Sequence, residues 1–293
     1  MAGCIQLALN FHLNHTHRNM RKLAIRLIPI AIAGVFVWFQ FLSSEKFTNE
    51  TGRKVHLALS PDQEEALGVQ SYREVLAESD PIRSGPQYEL VRDVAMRLAQ
   101  ATHKDFRWEV SVVRSDQVNA FCLPGGKIVV YTGILPIAQT PAGLATVMGH
   151  EMAHATLRHG SERLFKQQAT QTLLTGVQFS LGDLDYEQRR LVMGAIGAGA
   201  QYGVLLPFSR DHESEADQLG LSYMARAGFD PREAVTFWER MGKQGGNQPP
   251  EFMSTHPSHG TRIQRLKELL PQATQEYQRA LGGNTSKDLE RAP

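Results

Sequence analysis

Cysteine is scarce: Cys4 and Cys122 are the only two in 293 residues. Two cysteines exclude a disulfide framework and a thiolate-based metal site, so any bound metal must rest on histidine and carboxylate ligands. Net charge is nearly absent as well. Lys+Arg total 31 against 30 Asp+Glu, leaving +1, which argues against a dedicated nucleic-acid binder with its basic surplus. Repeats and low-complexity tracts are missing. With 42% hydrophobic and 21% charged residues, the chain is neither disordered nor collagen-like. Its length buries a core without staples. What it does have is 11 histidines.

Long apolar runs are few, and the longest stands near the amino end. Residues 23–42 read LAIRLIPIAIAGVFVWFQFL, and twenty helical residues rise about 30 Å, the thickness of a bilayer core. Residues 1–44 carry Arg18, Arg21, Lys22 and Arg26 and no acid. The positive-inside rule makes 1–22 a cytoplasmic tail and 23–42 a transmembrane anchor in the lipid bilayer, with the remainder on the far side. That far side is the periplasmic face of a bacterial inner membrane, or, as the alternative, an organellar inner membrane. A cleaved signal peptide competes, because Ala31-Ile32-Ala33 supplies an A-x-A pattern. Cutting there leaves GVFVWFQFL exposed, which favours an uncleaved anchor. A second apolar run, 191–206, is short and contains Gln201. A buried helix or a loop packing near the site is expected there, ahead of a second span.

The rest reads as a linker over 43–60, one domain over 61–281 and a loose tail over 282–293. Ser60-Pro61-Asp62-Gln63-Glu64-Glu65 has the form of a helix start, with a serine cap, proline in the first turn and acids at the positive end of the dipole. Patterning predicts helices over 61–79, 87–102, 161–178, 210–226, 231–241 and 259–281, and an amphipathic helix over 140–158. Strands are predicted over 108–113 and 127–131. The fold class is α+β, mostly helical, with a small sheet and one transmembrane helix ahead of it. The stretch Gly245-Gly246-Asn247-Gln248-Pro249-Pro250 is either a lid over the site or a linker.

The chemistry is concentrated in His150-Glu151-Met152-Ala153-His154. On a helix, residues four apart share a face, so two imidazoles at this spacing can grip one Zn²⁺ while the glutamate between them reaches a water at the ion. Such a pattern alone is also met by chance on surface helices, and it needs a third ligand. Glu213-Ser214-Glu215-Ala216-Asp217 supplies one. Glu213 and Asp217 are again four apart. Glu213 completes a His₂Glu set with room for water, and Asp217 accepts the free N–H of a ligand imidazole, that of His150. Glu215, by the same spacing, belongs to a solvated acidic face. The spacing fixes one ion per chain and does not exclude manganese or cobalt in place of zinc.

Four blocks in this order resemble the gluzincin metallopeptidases of peptidase family M48, which include the CAAX prenyl protease, HtpX-like and OMA-type peptidases. They are Asn119 to Gly126 running into Lys127 to Tyr131, the zinc helix extended by His159-Gly160, Ser209-Arg210 with Glu213 to Asp217, and Thr255-His256-Pro257 with Arg262. The likeness spans about residues 61–270 and is nearest the single-anchor, OMA-like branch. The resemblance implies a gluzincin-type metallopeptidase domain. It implies that Asn119 and Ala120, with Gly126, Lys127 and Ile128, hold an extended substrate by strand addition. It implies that His256 and Arg262 donate to the scissile carbonyl and its oxyanion, and that in some relatives the histidine matching His256 reaches the metal and holds the site closed. A turn histidine and a structural ion pair are the plain alternatives for those two.

The function expected is a membrane-anchored zinc endopeptidase of protein quality control, with Glu151 as general base and misfolded or unassembled polypeptides as substrates. A chaperone or assembly factor using the same groove with little cutting is the alternative. A processing peptidase with one dedicated substrate is a third reading.

Overall fold

The computed structural model describes residues 25–182, 184–200, 208–244, 251–256 and 261–289. The basic tail, residues 201–206 of the second apolar run, the stretch 245–250 and His259 lie outside the described residues. Those described fall into two compact units, one drawn from 45–163 and 208–289, the other from 25–44 and 164–200.

The second unit contains α1 (Ile25–Ser43), a 19-residue apolar helix long enough to cross a membrane by length and composition. Ile25, Phe36, Trp38 and Phe39 on it are exposed, a face that water does not tolerate over so long a run. It packs on α6 (His159–Ser180) at Gly176, where an added Cβ would stand 2.6 Å from Ala33 Cβ. Gln40 donates to Gln168 at 3.2 Å. α7 (Tyr186–Ala200) takes the start of the second apolar run, and Leu191 at its head is 69% exposed, against the burial expected there.

In the first unit, α2 (Pro61–Ala77) begins with a full capping box between Ser60 and Gln63. α3 (Pro86–Thr102), α8 (Arg210–Arg226) and α9 (Glu233–Lys243) follow the predicted helices closely. Two stretches differ from expectation. Residues 45–60 are not a plain linker: β1 (Glu45–Thr48) and β2 (Lys54–Leu57) form an antiparallel hairpin whose Val55 and Leu57 are buried. The helix expected over 259–281 is α11 (Arg262–Leu289), so the tail is helical well past Gly282.

A four-stranded sheet is built from β3 (Pro81–Ile82), β4 (Glu109–Val113), β5 (Ala120–Leu123) and β6 (Lys127–Tyr131), in the order β3-β4-β6-β5. β4 and β6 run parallel, and β5 pairs antiparallel to β6, with Ala120 opposite Val130 and Leu123 opposite Lys127. β5 and the two-residue β3 are therefore the sheet's edges. After the short α4 (Leu135–Ala138) comes α5 (Pro141–Thr156). Thr140 caps it by accepting from Gly143 N, and Pro141 opens its first turn. The amphipathic expectation for this helix is corrected: every residue from Gly143 to His154 is buried, because α3, α8, α9 and β5 pack around it. α5 is the core of the unit.

Candidate metal centre

α5 and α8 cross at two glycines. A Cβ on Gly149 would meet Gly220 O at 2.9 Å, and one on Gly220 would meet Gly149 C at 2.8 Å. Side chains at both positions would push the backbones apart, and only glycine lets them touch. His150 follows Gly149 directly, so the crossing sets how far its ring stands from the carboxylates of α8.

The side chains then converge. His150 Nε2 and His154 Nε2 are 3.1 Å apart. Glu213 places one oxygen 3.4 Å from His150 Nε2 and the other 3.5 Å from His154 Nε2. His256 Nδ1 stands 3.0 Å from Glu213 Oε1 and 3.4 Å from His150 Nε2. One donor atom from each of these four buried residues lies within 4.8 Å of the others. Three imidazole nitrogens and a carboxylate oxygen, enclosed and aimed at one another, are a nitrogen-and-oxygen donor set that fits a small divalent cation. The group can hold a metal ion.

Its electrostatics follow from burial and the mixed charges. Burial opposes ionising Glu213, yet hydrogen bonds from His150, His154 and His256 hold its carboxyl far below the usual range. Burial, joined by the neighbouring imidazoles, drives His154 well below a normal histidine, leaving a neutral ring with a lone pair to offer. His150 goes the other way: burial would lower it, but Asp217 and Glu213 raise it to about 9. Glu151 is raised, chiefly by burial; among the described residues its Oε1 has no hydrogen-bond partner, the nearest opposite group being His256 Nε2 at 3.5 Å.

The surrounding residues hold the donors in place. His150 Nδ1 lies 2.9 Å from Asp217 Oδ1, off the line of a straight hydrogen bond. Arg262 donates from Nε to Asp217 Oδ2 at 2.8 Å and from Nη2 to Glu213 Oε2, and its guanidinium lies 4.0 Å over the Trp238 ring. Arg262 Nη1 is buried and has no hydrogen-bond partner among the described residues. Phe252, on α10 (Glu251–Thr255), stacks on His256 at 4.6 Å, and Phe208 lies 4.1 Å from His154 and 5.3 Å from His256. The cavity beside His150, Asp217 and Trp238 is about 10 Å³, too small for a substrate.

The expected strand-addition residues divide. Asn119 O accepts from Tyr131 N, and Ala120 opens β5, the edge strand lying along α5. Gly126 precedes β6, and Lys127 and Ile128 lie on it. β6 is paired on both sides, and Lys127 and Ile128 are each 1% exposed. Their backbone groups are already used, so an added strand has β5 as its place, not β6. Lys127 Nζ donates to Arg107 O at 2.5 Å and pairs with Glu109.

Sequence reasoning missed several residues here. Glu215 is not on a solvated face: it is 9% exposed and accepts from Arg53, Thr51, Asn49 and His159. His159 and His212 are buried and stack at 4.3 Å. No spacing rule links Arg53, in the hairpin turn, to a helix more than a hundred residues away. The only available signal was the second histidine block, His159-Gly160, beside the ligand motif.

The family model for peptidase family M48 matches residues 84–270. The chain is 36% identical over 251 residues to the mitochondrial metalloendopeptidase OMA1 of Schizosaccharomyces pombe, an alignment covering 83% of this chain and 71% of that protein. It is 39% identical over 197 residues to the mitochondrial metalloendopeptidase OMA1 of Arabidopsis thaliana, covering 66% and 38%. Against the β-barrel assembly-enhancing protease of Escherichia coli it is 26% identical over 268 residues, covering 87% and 55%. The chain thus spans little more than a third to somewhat over half of the latter two.

Proposed function

This chain belongs to peptidase family M48 and is a metalloendopeptidase, and from that premise we propose that it uses one zinc ion to cut misfolded or unassembled polypeptides at a membrane. The observation that carries the proposal is the buried convergence of His150, His154 and Glu213 on one point, with Glu151 in the same turn of helix. The residues fit zinc, and these three are its proposed ligands. When bound, the ion supplies Lewis acidity toward a peptide carbonyl and makes water more acidic.

The remaining work falls to the chain itself. The β5 edge, with Asn119 and Ala120 at its start, holds an extended polypeptide by backbone pairing on its outer side without reading its sequence closely. Glu151 Oε1, which faces His256 Nε2 at 3.5 Å, takes a proton from water and returns it to the leaving amine. Asp217 aims His150. Arg262 Nη1 is the donor left over for a developing oxyanion. His256 stands inside the donor group in this arrangement, so it acts first as a latch. It becomes an oxyanion donor once its ring leaves the donor group.

α1 anchors the chain in the bilayer, with the basic tail on the cytoplasmic side and the peptidase unit opposite. Protease added to sealed vesicles of known orientation tests this: the unit is digested on one face only, and digestion on the cytoplasmic face reverses the assignment.

Casein cleavage and zinc content, measured together, test the activity. Glu151→Gln keeps about one zinc per chain and loses activity by roughly 10²–10⁴-fold. Undiminished cutting removes Glu151 from the mechanism. The buried cluster also favours a second reading, a chaperone that seldom cuts. His256→Ala separates the two: cleavage above wild type supports a latched protease, a tenfold drop gives His256 the oxyanion role alone, and continued inertness with zinc bound supports the chaperone.

A further inference from the structure

Behind the metal centre lies a second polar cluster that the proposed reaction does not use. His154 Nδ1, on the far side of the ring from Nε2, is 2.9 Å from His159 Nδ1. His159 Nε2 is 3.0 Å from Glu215 Oε2. Glu215 is gripped twice by Arg53, from Nε at 2.8 Å and Nη2 at 2.7 Å. Arg53 also forks onto Glu162, with both distances 2.7 Å. Thr51 and Asn49, in the same hairpin turn, donate to Glu215 Oε1 at 2.6 and 3.2 Å. His159 is fully buried.

Hydrogen-bond logic turns this chain of contacts into a directional device. Glu215 accepts at Oε2 from Arg53 Nη2 and at Oε1 from Arg53 Nε, Thr51 and Asn49, so donors occupy both of its oxygens as they do on a carboxylate. A carboxylate only accepts, so His159 must carry its proton on Nε2. His159 Nδ1 is then an acceptor, and the atom facing it must donate. His154 is forced to hold its proton on Nδ1, which leaves the Nε2 lone pair pointing toward Glu213 and His150. A ligand histidine needs that tautomer and that aim.

We propose that Arg53, Glu215 and His159 are positioning residues that fix the tautomer and direction of His154, so that the β1–β2 hairpin directly after the apolar helix is part of the metal site. The proposal rests on the reading of His154 as a metal ligand. Arg53 bridges α6 and α8 through two carboxylates, and a lysine, with a single point of charge, cannot make both forks.

The test uses the full chain in detergent and measures Zn²⁺ affinity by competition with a chromogenic chelator. The comparison is between His159→Phe, which keeps a flat ring but no polar atom, and His159→Gln, whose amide can accept from His154 and donate to Glu215. His159→Phe is expected to weaken zinc binding by about 10–100-fold, His159→Gln by no more than a few-fold, and Arg53→Lys to fall between them. Cobalt-loaded protein gives a second readout, with the visible spectrum of the Phe variant shifted from wild type. A folded His159→Phe that binds zinc as tightly as wild type overturns the relay. If that variant does not fold, Glu215→Gln, which keeps shape and loses the obligate acceptor, decides in its place by the same measurement. Wild-type protein that binds no zinc defeats the metal reading itself, an outcome distinct from equal affinities.

Discussion

Glu213 faces three imidazoles and one guanidinium at once. A lone carboxylate buried that deeply would protonate rather than stay charged. It remains ionised because the Arg262 guanidinium and the imidazoles of His150 and His256 face it, and the cluster is stable only as a set. Removing one member leaves the others uncompensated, which is costlier than the bond itself. His150→Ala should therefore lose the metal and also destabilise the fold by roughly 3–5 kcal/mol, the cost of breaking a buried charge pair, read as a lower melting temperature and zinc content near zero. Zinc content equal to wild type would take His150 out of the ligand set. At this scale the sequence was informative where helical spacing applies. His150 with His154, and Glu213 with Asp217, are each four apart, and a helix puts each pair on one face. It was silent where the partner comes from another element. Glu215 has the spacing of a solvent-facing residue, and nothing local reveals that Arg53 covers it.

Two helices carry all four of those residues, and their meeting point is set by Gly149 and Gly220. Gly149→Ala inserts a methyl group where Gly220 O already stands at 2.9 Å. Overpacking of this kind costs about 1–3 kcal/mol. Because the next residue is His150, the shift also moves a ligand. The expected result is weaker zinc binding together with a lower melting temperature, whereas Gly160→Ala, with nothing within 4 Å of the new atom, should leave both near wild type. Long periodic elements such as α3 and α8 were legible because a dozen or more residues repeat one signal. The four-residue strands β1, β2 and β5 were not, since alternation over so few positions is indistinguishable from loop. For β5 this mattered: no strand was predicted over it, and the strand that was predicted, β6, lies inside the sheet. The apolar run of β6 reflects burial between two neighbours.

At the scale of the whole molecule, the metal and the fold are one equilibrium. An ion that binds the native chain and not the unfolded one adds about 4 kcal/mol when present at a thousand times its Kd. Stripping it with a chelator should lower the melting temperature by roughly 10 °C for a domain of this size, and zinc should restore it; an unchanged melting curve after verified removal would mean that ligation and folding are uncoupled. The aromatic wall described above has a kinetic counterpart. Phe208 lies against His154 and His256 and Phe252 stacks on His256, and the four donor residues are buried, so an ion enters or departs only when this aromatic cover moves. Residence time is then governed by the opening frequency of the protein rather than by bond strength, and the speed of demetallation should level off as scavenger concentration rises.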